Sequence, residues 1–516
     1  MMNTNINSLI KKYEISLICI LMIISGAFHF FIFNKTNMNV IDEMHYMFGI
    51  LDGVKASAYP SPLFFLLNKY IKFSQNIVEN SRFINLIFYL IGLFPIYQIT
   101  KKYLNFEHKI LFSIFYLFSP FSFYITNVMP EIIFGTLFYF YVFFLDAKDF
   151  KASFASLFFS VFFILCMTYL KNYGIFLIPI YVFIALISSG LNVINKILHI
   201  LLFLFIFFGI KYLIDTNLYG NFFLLGKIYG ETFKSSSVIN LKTMGINLFG
   251  NLLFFTPFLI LFFFVKNKVS LLNSSILKNR FNLFVMGCLI LFVFVTTAHN
   301  NIVSNLPGES AFRINERYYS FLIILFLISI TTVFEKIKFK STPYTFFAFA
   351  LFLLISILNK YVFFKVYDLS YIDNPDLFAF YQSNLFFIPT IIVITYLFYA
   401  RFSLLMGFFL LITSFLSCFN MSQFYISRKI DTPPDFAGKY LCQSSYKGKI
   451  DKVFTDNIVS FGFFYYNCPA KYKVYYPEDF NLRLTDKTLY VGNYVYNNRS
   501  KFNSIDKISD SFFIKN

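Results

Sequence analysis

In NVIDEMHYMFGILDG (39–53), Asp42 lies three and four positions ahead of His45 and Tyr46, with Glu43 beside it. On a helix that spacing puts Asp42, His45 and Tyr46 on one face. The apolar residues Ile41, Met44, Phe48 and Leu51 also recur at helical spacing, so the stretch reads as an amphipathic helix lying in a membrane interface. A carboxylate flanked by an imidazole and a phenol can take a proton from a hydroxyl. Held at the rim of a bilayer, it could do so on a lipid head group. Asp in a first helical turn is equally an ordinary N-cap, and spacing leaves both readings open.

A second acid, Glu131, follows Pro130 in SPFSFYITNVMPEIIFGTLF (119–138). Pro and Glu are common punctuation at a helix start, whereas an ionisable group so close to hydrocarbon is a functional candidate. Cations mark neighbouring positions: Arg82, Lys171 in TYLKNYG (168–174), and Arg313 and Arg317, followed by Tyr318, in FRINERYYS (312–320). Snorkelling to head groups explains any one of them. Several cations on the side that carries two acids suit a phosphate beside which a base must work.

Membrane helices must position these residues. Of 516 residues, 58% are hydrophobic and 14% charged, against roughly 25% charged in soluble proteins, which excludes a water-soluble fold. Apolar blocks predict about thirteen spans, near 15–33, 83–99, 110–126, 132–145, 154–170, 175–189, 198–214, 247–265, 281–297, 319–334, 345–364, 385–400 and 402–419. The first follows Lys11 and Lys12 without a small-residue cleavage site and reads as a retained helix.

Basic residues set the orientation. Lys11, Lys12, Lys101, Lys102, Lys109, Lys148, Lys151, Lys196, Lys266, Lys268, Lys278, Arg280, Lys336, Lys338, Lys340 and Arg401 fall in alternate loops, predicting a cytoplasmic N-terminus and an outer C-terminus. The net charge of +18 is thereby explained without a nucleic-acid partner. Acids gather on the opposite side, at Asp42, Glu43, Asp52, Glu79, Glu131, Asp215, Glu231, Glu309, Glu316, Asp368, Asp373 and Asp376. Acids contribute little to orientation, so an outer active site is one explanation and a solvated loop face the other.

Composition divides the chain into a membrane domain, 1–428, whose first outer loop runs 34–82 with interfacial helices, and a small extracytoplasmic α/β domain, 429–516. KVYYP (473–477) and TLYVGNYVY (488–496) read as strands. Cys442 and Cys468 are the tail's two cysteines, and a disulfide between them fits an oxidising compartment. There is no CxxC or HExxH, and Gly220 to Lys227 has neither P-loop spacing nor the following Ser or Thr, which argues against a zinc site and ATP-driven transport. Gly226 and Gly230 form a GxxxG in a predicted loop, where it carries no helix-pairing argument.

Together the early DE pair, YPSPLFFLL, SRFINLIFYLIGLFPIYQITKKYL, the SPFSFY…MPE stretch, YLKNYGIFLIPIY and ERYYS resemble the GT-C class of polyprenyl-phosphate-dependent glycosyltransferases, such as lipid A aminoarabinose transferases and protein O-mannosyltransferases. The resemblance is best over residues 10–190. It implies transfer of a single sugar from a polyprenyl-phosphate carrier, such as undecaprenyl phosphate, to a glycolipid, glycan or protein acceptor outside the inner (plasma) membrane. It makes Asp42 the catalytic carboxylate with Glu43 beside it, Glu131 the second acid, and Arg82 the basic residue opening the second span. His45, Tyr46, Lys171, Arg313, Arg317 and Tyr318 are substrate-binding candidates by charge and side. Direct displacement would invert the anomeric centre. The donor is already activated, so no cofactor is required, although a divalent metal held by Asp42 or Glu131 is compatible with the same chemistry. A surface-polysaccharide polymerase or ligase is the nearest rival, though such proteins rest more on outer-loop arginines. A lipid-linked-sugar flippase is the other, but no internal repeat is visible and the charges sit at the rim.

Overall fold

The computed structural model describes residues 13–33, 38, 42–54, 57, 61–188, 191–223, 240–266, 279–303, 312, 314–335, 350–351, 354–367, 373–374, 376, 433–443, 450–455, 458–470, 472–475, 488–491, 506–509 and 512–515. In chain order the helices are α1 (Glu14–Phe33), α2 (Asp42–Asp52), α3 (Pro62–Tyr70), α4 (Ile77–Tyr103), α5 (Phe106–Leu117), α6 (Glu131–Ala147) and α7 (Phe154–Leu170). They continue with α8 (Leu177–Ile187), α9 (Val193–Tyr219), α10 (Leu241–Lys266), α11 (Arg280–Val303) and α12 (Ser320–Glu335). The C-terminal part adds α13 (Pro433–Gln443), β1 (Lys452–Thr455), α14 (Ile458–Asn467), β2 (Lys473–Tyr475), β3 (Thr488–Val491), β4 (Asp506–Ser509) and β5 (Phe512–Lys515).

The protein is a polytopic helical membrane protein. Among the described residues, five helical stretches are long and apolar enough to cross a bilayer: Glu14–Ile32, Ile77–Tyr103, Phe106–Thr126, Val193–Tyr219 and Arg280–Asn301. Shorter apolar helices cover Phe154–Leu170, Asn172–Ile187, Ser320–Thr332 and Leu354–Phe363. The spans expected at 385–400 and 402–419, and much of 345–364, lie outside the described residues, as does the Gly226–Gly230 pattern.

Two elements differ from the sequence expectation. The third span, expected as one helix over 110–126, is α-helical only to Leu117 and gives way to a 3-10 turn over Pro120–Thr126. Pro120 has no N–H for the helical ladder, and the Ser122 amide bonds the Ser119 carbonyl at 3.0 Å instead. Asp215, expected in an outer loop, lies within α9, which runs to Tyr219. There it pairs with Lys211 one turn earlier at 2.5 Å and accepts from the Tyr169 hydroxyl at 2.8 Å. A satisfied pair lets the helix carry both charges on into a low-dielectric environment.

The residues cluster into two compact units. The first is Met1–Phe30, Asn85–Ile125 and Pro130–Ser422, and the second Phe31–Ile84, Thr126–Met129 and Gln423–Asn516. Ion pairs fasten one end of the first unit's helices. Glu14 at the start of α1 meets Lys109, Lys102 bonds Asp146 and Asp149 at 3.1 Å each, and Arg280 donates to the Asp149 carbonyl at 3.0 Å. Deeper in, Ser25 and His29 of α1 both bond the Leu117 carbonyl, at 2.9 and 3.3 Å. That carbonyl is one of those a helix end leaves without an intrahelical partner.

The second unit joins Phe31–Ile84 to the C-terminal segment. Its sheet has the order β2-β1-β3-β5-β4, with β1 parallel to β2 and β3 and with β5 antiparallel to β3 and β4. The parallel step from β1 to β2 needs a crossover, which α14 supplies. Val453, Leu489 and Val491 are buried in this sheet. Cys442 of α13 and Cys468, just beyond α14, form a disulfide with 5.3 Å between their Cα atoms. Phe48 of α2 lies against Tyr465 at 4.6 Å and Phe461 at 6.2 Å, so the loop helix packs on α14.

Candidate active site

In the second unit, α2 begins at Asp42 and buries Glu43, Met44, Tyr46, Met47 and Gly49. A Cβ at Gly49 would fall 2.0 Å from the Phe65 ring of α3, so a larger residue there requires that ring to move. Of the Ile41/Met44/Phe48/Leu51 stripe of the sequence reading, Met44 is fully buried. Phe48 and Leu51 are half-buried, Ile41 lies outside the described residues, and the charged Glu43 is inside. Its Oε2 accepts from the Val128 amide at 2.8 Å, and that bond offsets the cost of taking a carboxylate out of water. Tyr46 packs on Phe64 at 5.8 Å. Asp42 and His45 stay half-buried together, one turn apart. Burial lowers the His45 pKa from its ordinary 6.5, with the Asp42 carboxylate opposing the shift. At neutral pH the imidazole is thus predominantly uncharged beside the carboxylate.

Arg82 is held at the other end of the loop. Asn80 accepts from the Phe73 amide at 2.7 Å and donates to the Ile71 carbonyl at 2.9 Å, while Ser81 donates to Asn68 Oδ1 at 2.6 Å. These bonds fix the link from α3 into α4. The Arg82 side chain is only 4% exposed, hydrogen-bonds the Tyr466 hydroxyl of α14, and has its guanidinium carbon 5.5 Å from that ring's centre.

The first unit carries the other candidates. Glu131 opens α6 and receives the Lys171 ammonium at 2.6 Å; both are buried. Burial is the largest influence on the Lys171 pKa and pushes it down, but Glu131 together with Tyr173 and Tyr318 leaves it above the ordinary lysine value. Glu131 Oε2 is buried with no hydrogen-bond partner among the described residues. Lys171 is the C-cap of α7, and at Gly174 the chain passes so close that a Cβ would lie 2.6 Å from the Met167 and Thr168 backbone. Tyr173, in the same turn, meets Tyr318 edge to face at 5.2 Å.

Around Tyr318 the geometry is dense. Its hydroxyl lies 3.2 Å from His299 Nε2, and the Arg317 guanidinium is 5.4 Å from its ring. Arg317 pairs with Asp373 at 3.5 Å and its amide donates to the Asp373 carbonyl at 2.8 Å. Asn374 accepts from the Glu316 amide at 3.0 Å and donates to the Ile314 carbonyl at 2.6 Å. Burial pushes the Asp376 carboxyl up to about 7, against a side-chain hydrogen bond with Glu316. Arg313 lies outside the described residues.

The candidates therefore form one constellation in each unit: Asp42, Glu43, His45, Tyr46 and Arg82 in the second, and Glu131, Lys171, Arg317 and Tyr318 in the first. The sequence reading did not single out Tyr466, His299 or Asn374. Tyr466 sits in the aromatic run IVSFGFFYYN, which marks a packed helix and nothing more. His299 lies near the C-terminal end of α11, where its only signal is a polar side chain just past an apolar run. Among the described residues no three His, Cys, Asp or Glu side chains converge as ligands of a metal ion would.

No protein-family profile and no curated protein matches the sequence. Among solved structures, the chain is similar to the crystal structure of ArnT from Cupriavidus metallidurans in the apo state, with a TM-score of 0.52. The likeness covers 98% of this chain and 98% of that chain, at 10% sequence identity. The likeness is one of fold. At that identity the likeness carries an architecture and no residue roles, so those roles rest on the geometry above.

Proposed function

We propose that the protein is an integral membrane glycosyltransferase that moves a single sugar from a polyprenyl-phosphate carrier to an acceptor outside the inner membrane. The observation that carries this reading is the fold likeness to ArnT over 98% of both chains. In the proposed reaction the acceptor oxygen attacks the anomeric carbon as the bond to the carrier phosphate breaks. The electron pair leaves with the phosphate, the acceptor proton goes to Asp42, and the anomeric centre inverts. A positioned carboxylate base contributes roughly 10²–10⁴-fold, and cations beside the departing phosphate stabilise the charge that develops there.

The half-buried Asp42 suits the base better than Glu43, whose Oε2 is committed to the Val128 amide. We assign Glu43 to holding α2 and Val128 together, and Arg82 to the carrier phosphate. Within the first unit, Lys171 and Arg317 are proposed as substrate-binding residues; each is already matched to a carboxylate, Glu131 and Asp373. The acceptor is proposed to be an envelope glycolipid, glycan or exported protein, and the N-terminus to be cytoplasmic.

The test is mass spectrometry of lipid A, surface polysaccharide and exported proteins from cells lacking the gene, complemented with wild type or Asp42→Asn. The expected result is the loss of one sugar mass from one acceptor, restored by wild type and not by a normally inserted Asp42→Asn. A change in chain length by whole repeat units would favour a polymerase, and full restoration by Asp42→Asn would remove Asp42 from the reaction.

A further inference from the structure

We infer that Tyr466, from the C-terminal segment, is a positioning residue for Arg82, so that the extramembrane tail helps build the phosphate site. The inference rests on the reading of Arg82 as a ligand of the carrier phosphate. Arg82 and Tyr466 are 384 residues apart in sequence, yet they share a hydrogen bond between guanidinium and hydroxyl. The same guanidinium carbon lies 5.5 Å from the centre of the Tyr466 ring. Tyr466 is 6% exposed and Arg82 4%. The hydroxyl oxygen lies in the plane of the ring, so the 5.5 Å distance places the guanidinium beyond the hydroxyl edge, and the directional hydrogen bond is what restrains it.

The surroundings give that restriction a purpose. Glu43 and Asp435 are both buried in this unit and both act electrostatically on the Tyr466 hydroxyl. A guanidinium near buried carboxylates is drawn toward them. A neutral phenol that accepts one of its N–H groups fixes its direction without adding a negative charge. Burial keeps Tyr466 neutral, because it raises the phenol pKa well above the ordinary value, although Arg82 works the other way. A tyrosinate or a third carboxylate at this position would instead add negative charge against an incoming phosphate.

Tyr466 is itself braced. Its helix, α14, is joined to α13 through the Cys442–Cys468 disulfide and the 2.8 Å bond from Asn467 to Asp435. On the other side Tyr465 and Phe461 pack on Phe48 of α2, the helix that opens with Asp42 and Glu43. Tyr465, next in sequence, differs in a useful way: its hydroxyl is buried with no hydrogen-bond partner among the described residues. It is a built-in control for the general effect of removing a buried hydroxyl from α14.

The experiment measures binding of a radiolabelled polyprenyl phosphate to the full-length protein in nanodiscs, for wild type, Arg82→Ala, Tyr466→Phe, Arg82→Ala/Tyr466→Phe and Tyr465→Phe. Thermal unfolding checks that each variant is folded. Tyr466→Phe keeps the ring and removes the hydroxyl, so it should weaken binding about tenfold, the value of one hydrogen bond to a charged group. Arg82→Ala should weaken it at least as much, the double variant no more than Arg82→Ala alone, and Tyr465→Phe should bind as wild type. Normal binding by Tyr466→Phe beside weak binding by Arg82→Ala would overturn the inference and leave the proposed function standing. So would additive losses in the double variant, or an equal loss in Tyr465→Phe, since both describe a structural effect. Normal binding by Arg82→Ala would remove Arg82 from the phosphate site and overturn the inference with it.

Discussion

Lys171 and Glu131 hold each other in place at 2.6 Å inside the first unit, and their burial makes the pair costly to break on one side. Lys171→Met leaves the Glu131 carboxylate buried and uncompensated, which should lower stability by roughly 3–5 kcal/mol. Lys171→Met/Glu131→Gln removes both charges and should recover most of that loss. Thermal unfolding of the detergent-purified variants checks both outcomes. Equal destabilisation by the single and double variants would show that packing, and not charge, accounts for the loss. A double variant that is stable yet inactive would point to a chemical role for the pair. The adjacent acids Asp42 and Glu43 part ways at the same scale. One faces partly outward beside His45, and the other is tied to a backbone amide 85 residues away.

Short elements stitched to one another position the first unit's candidates. The segment at 373–376 is fastened to 314–317 by the Arg317 and Glu316 amides and by Asn374. Asp376 makes this junction pH-dependent. Its carboxyl is raised from the ordinary 3.8 to about 7, so the folded state prefers the protonated form. The stabilisation is complete below the ordinary carboxylate value and is lost as pH rises through about 7. Hydrogen exchange at the Arg317 and Tyr319 amides, corrected for intrinsic rates, should therefore show less protection at pH 8 than at pH 5. Asp376→Asn should flatten that dependence, and an unchanged slope in the variant would assign it to another group.

At the scale of the molecule, the second unit gathers three separated pieces of chain: Phe31–Ile84, Thr126–Met129 and the C-terminal segment. The Cys442–Cys468 bridge closes a span of 26 residues within it. A loop of that length is worth about 3 kcal/mol in chain entropy. Cys442→Ser/Cys468→Ser should accordingly make the C-terminal segment more sensitive to protease at a temperature where the oxidised wild type resists. If Tyr466 acts on Arg82 as inferred, the same variant should also bind polyprenyl phosphate more weakly. Undiminished protease resistance would mean that packing between α13 and α14 is sufficient by itself.

The sequence by itself determined the solvent and much of the secondary structure. Hydropathy is a local property, and each apolar block of sufficient length must satisfy its own backbone as a helix in lipid. The starts of α6 at Glu131 and of α2 at Asp42 were legible for the same reason, since Pro130 and the acidic pair are local signals. The acids and cations of the candidate site could be named from type and spacing. Only the tertiary structure decided which of them are buried and what they meet: Glu43 on Val128, Lys171 on Glu131, Arg317 on Asp373, Arg82 on Tyr466. The state of a charge in a protein interior depends on the partner that long-range packing brings to it, and partners 40 to 384 residues away leave no mark on local spacing.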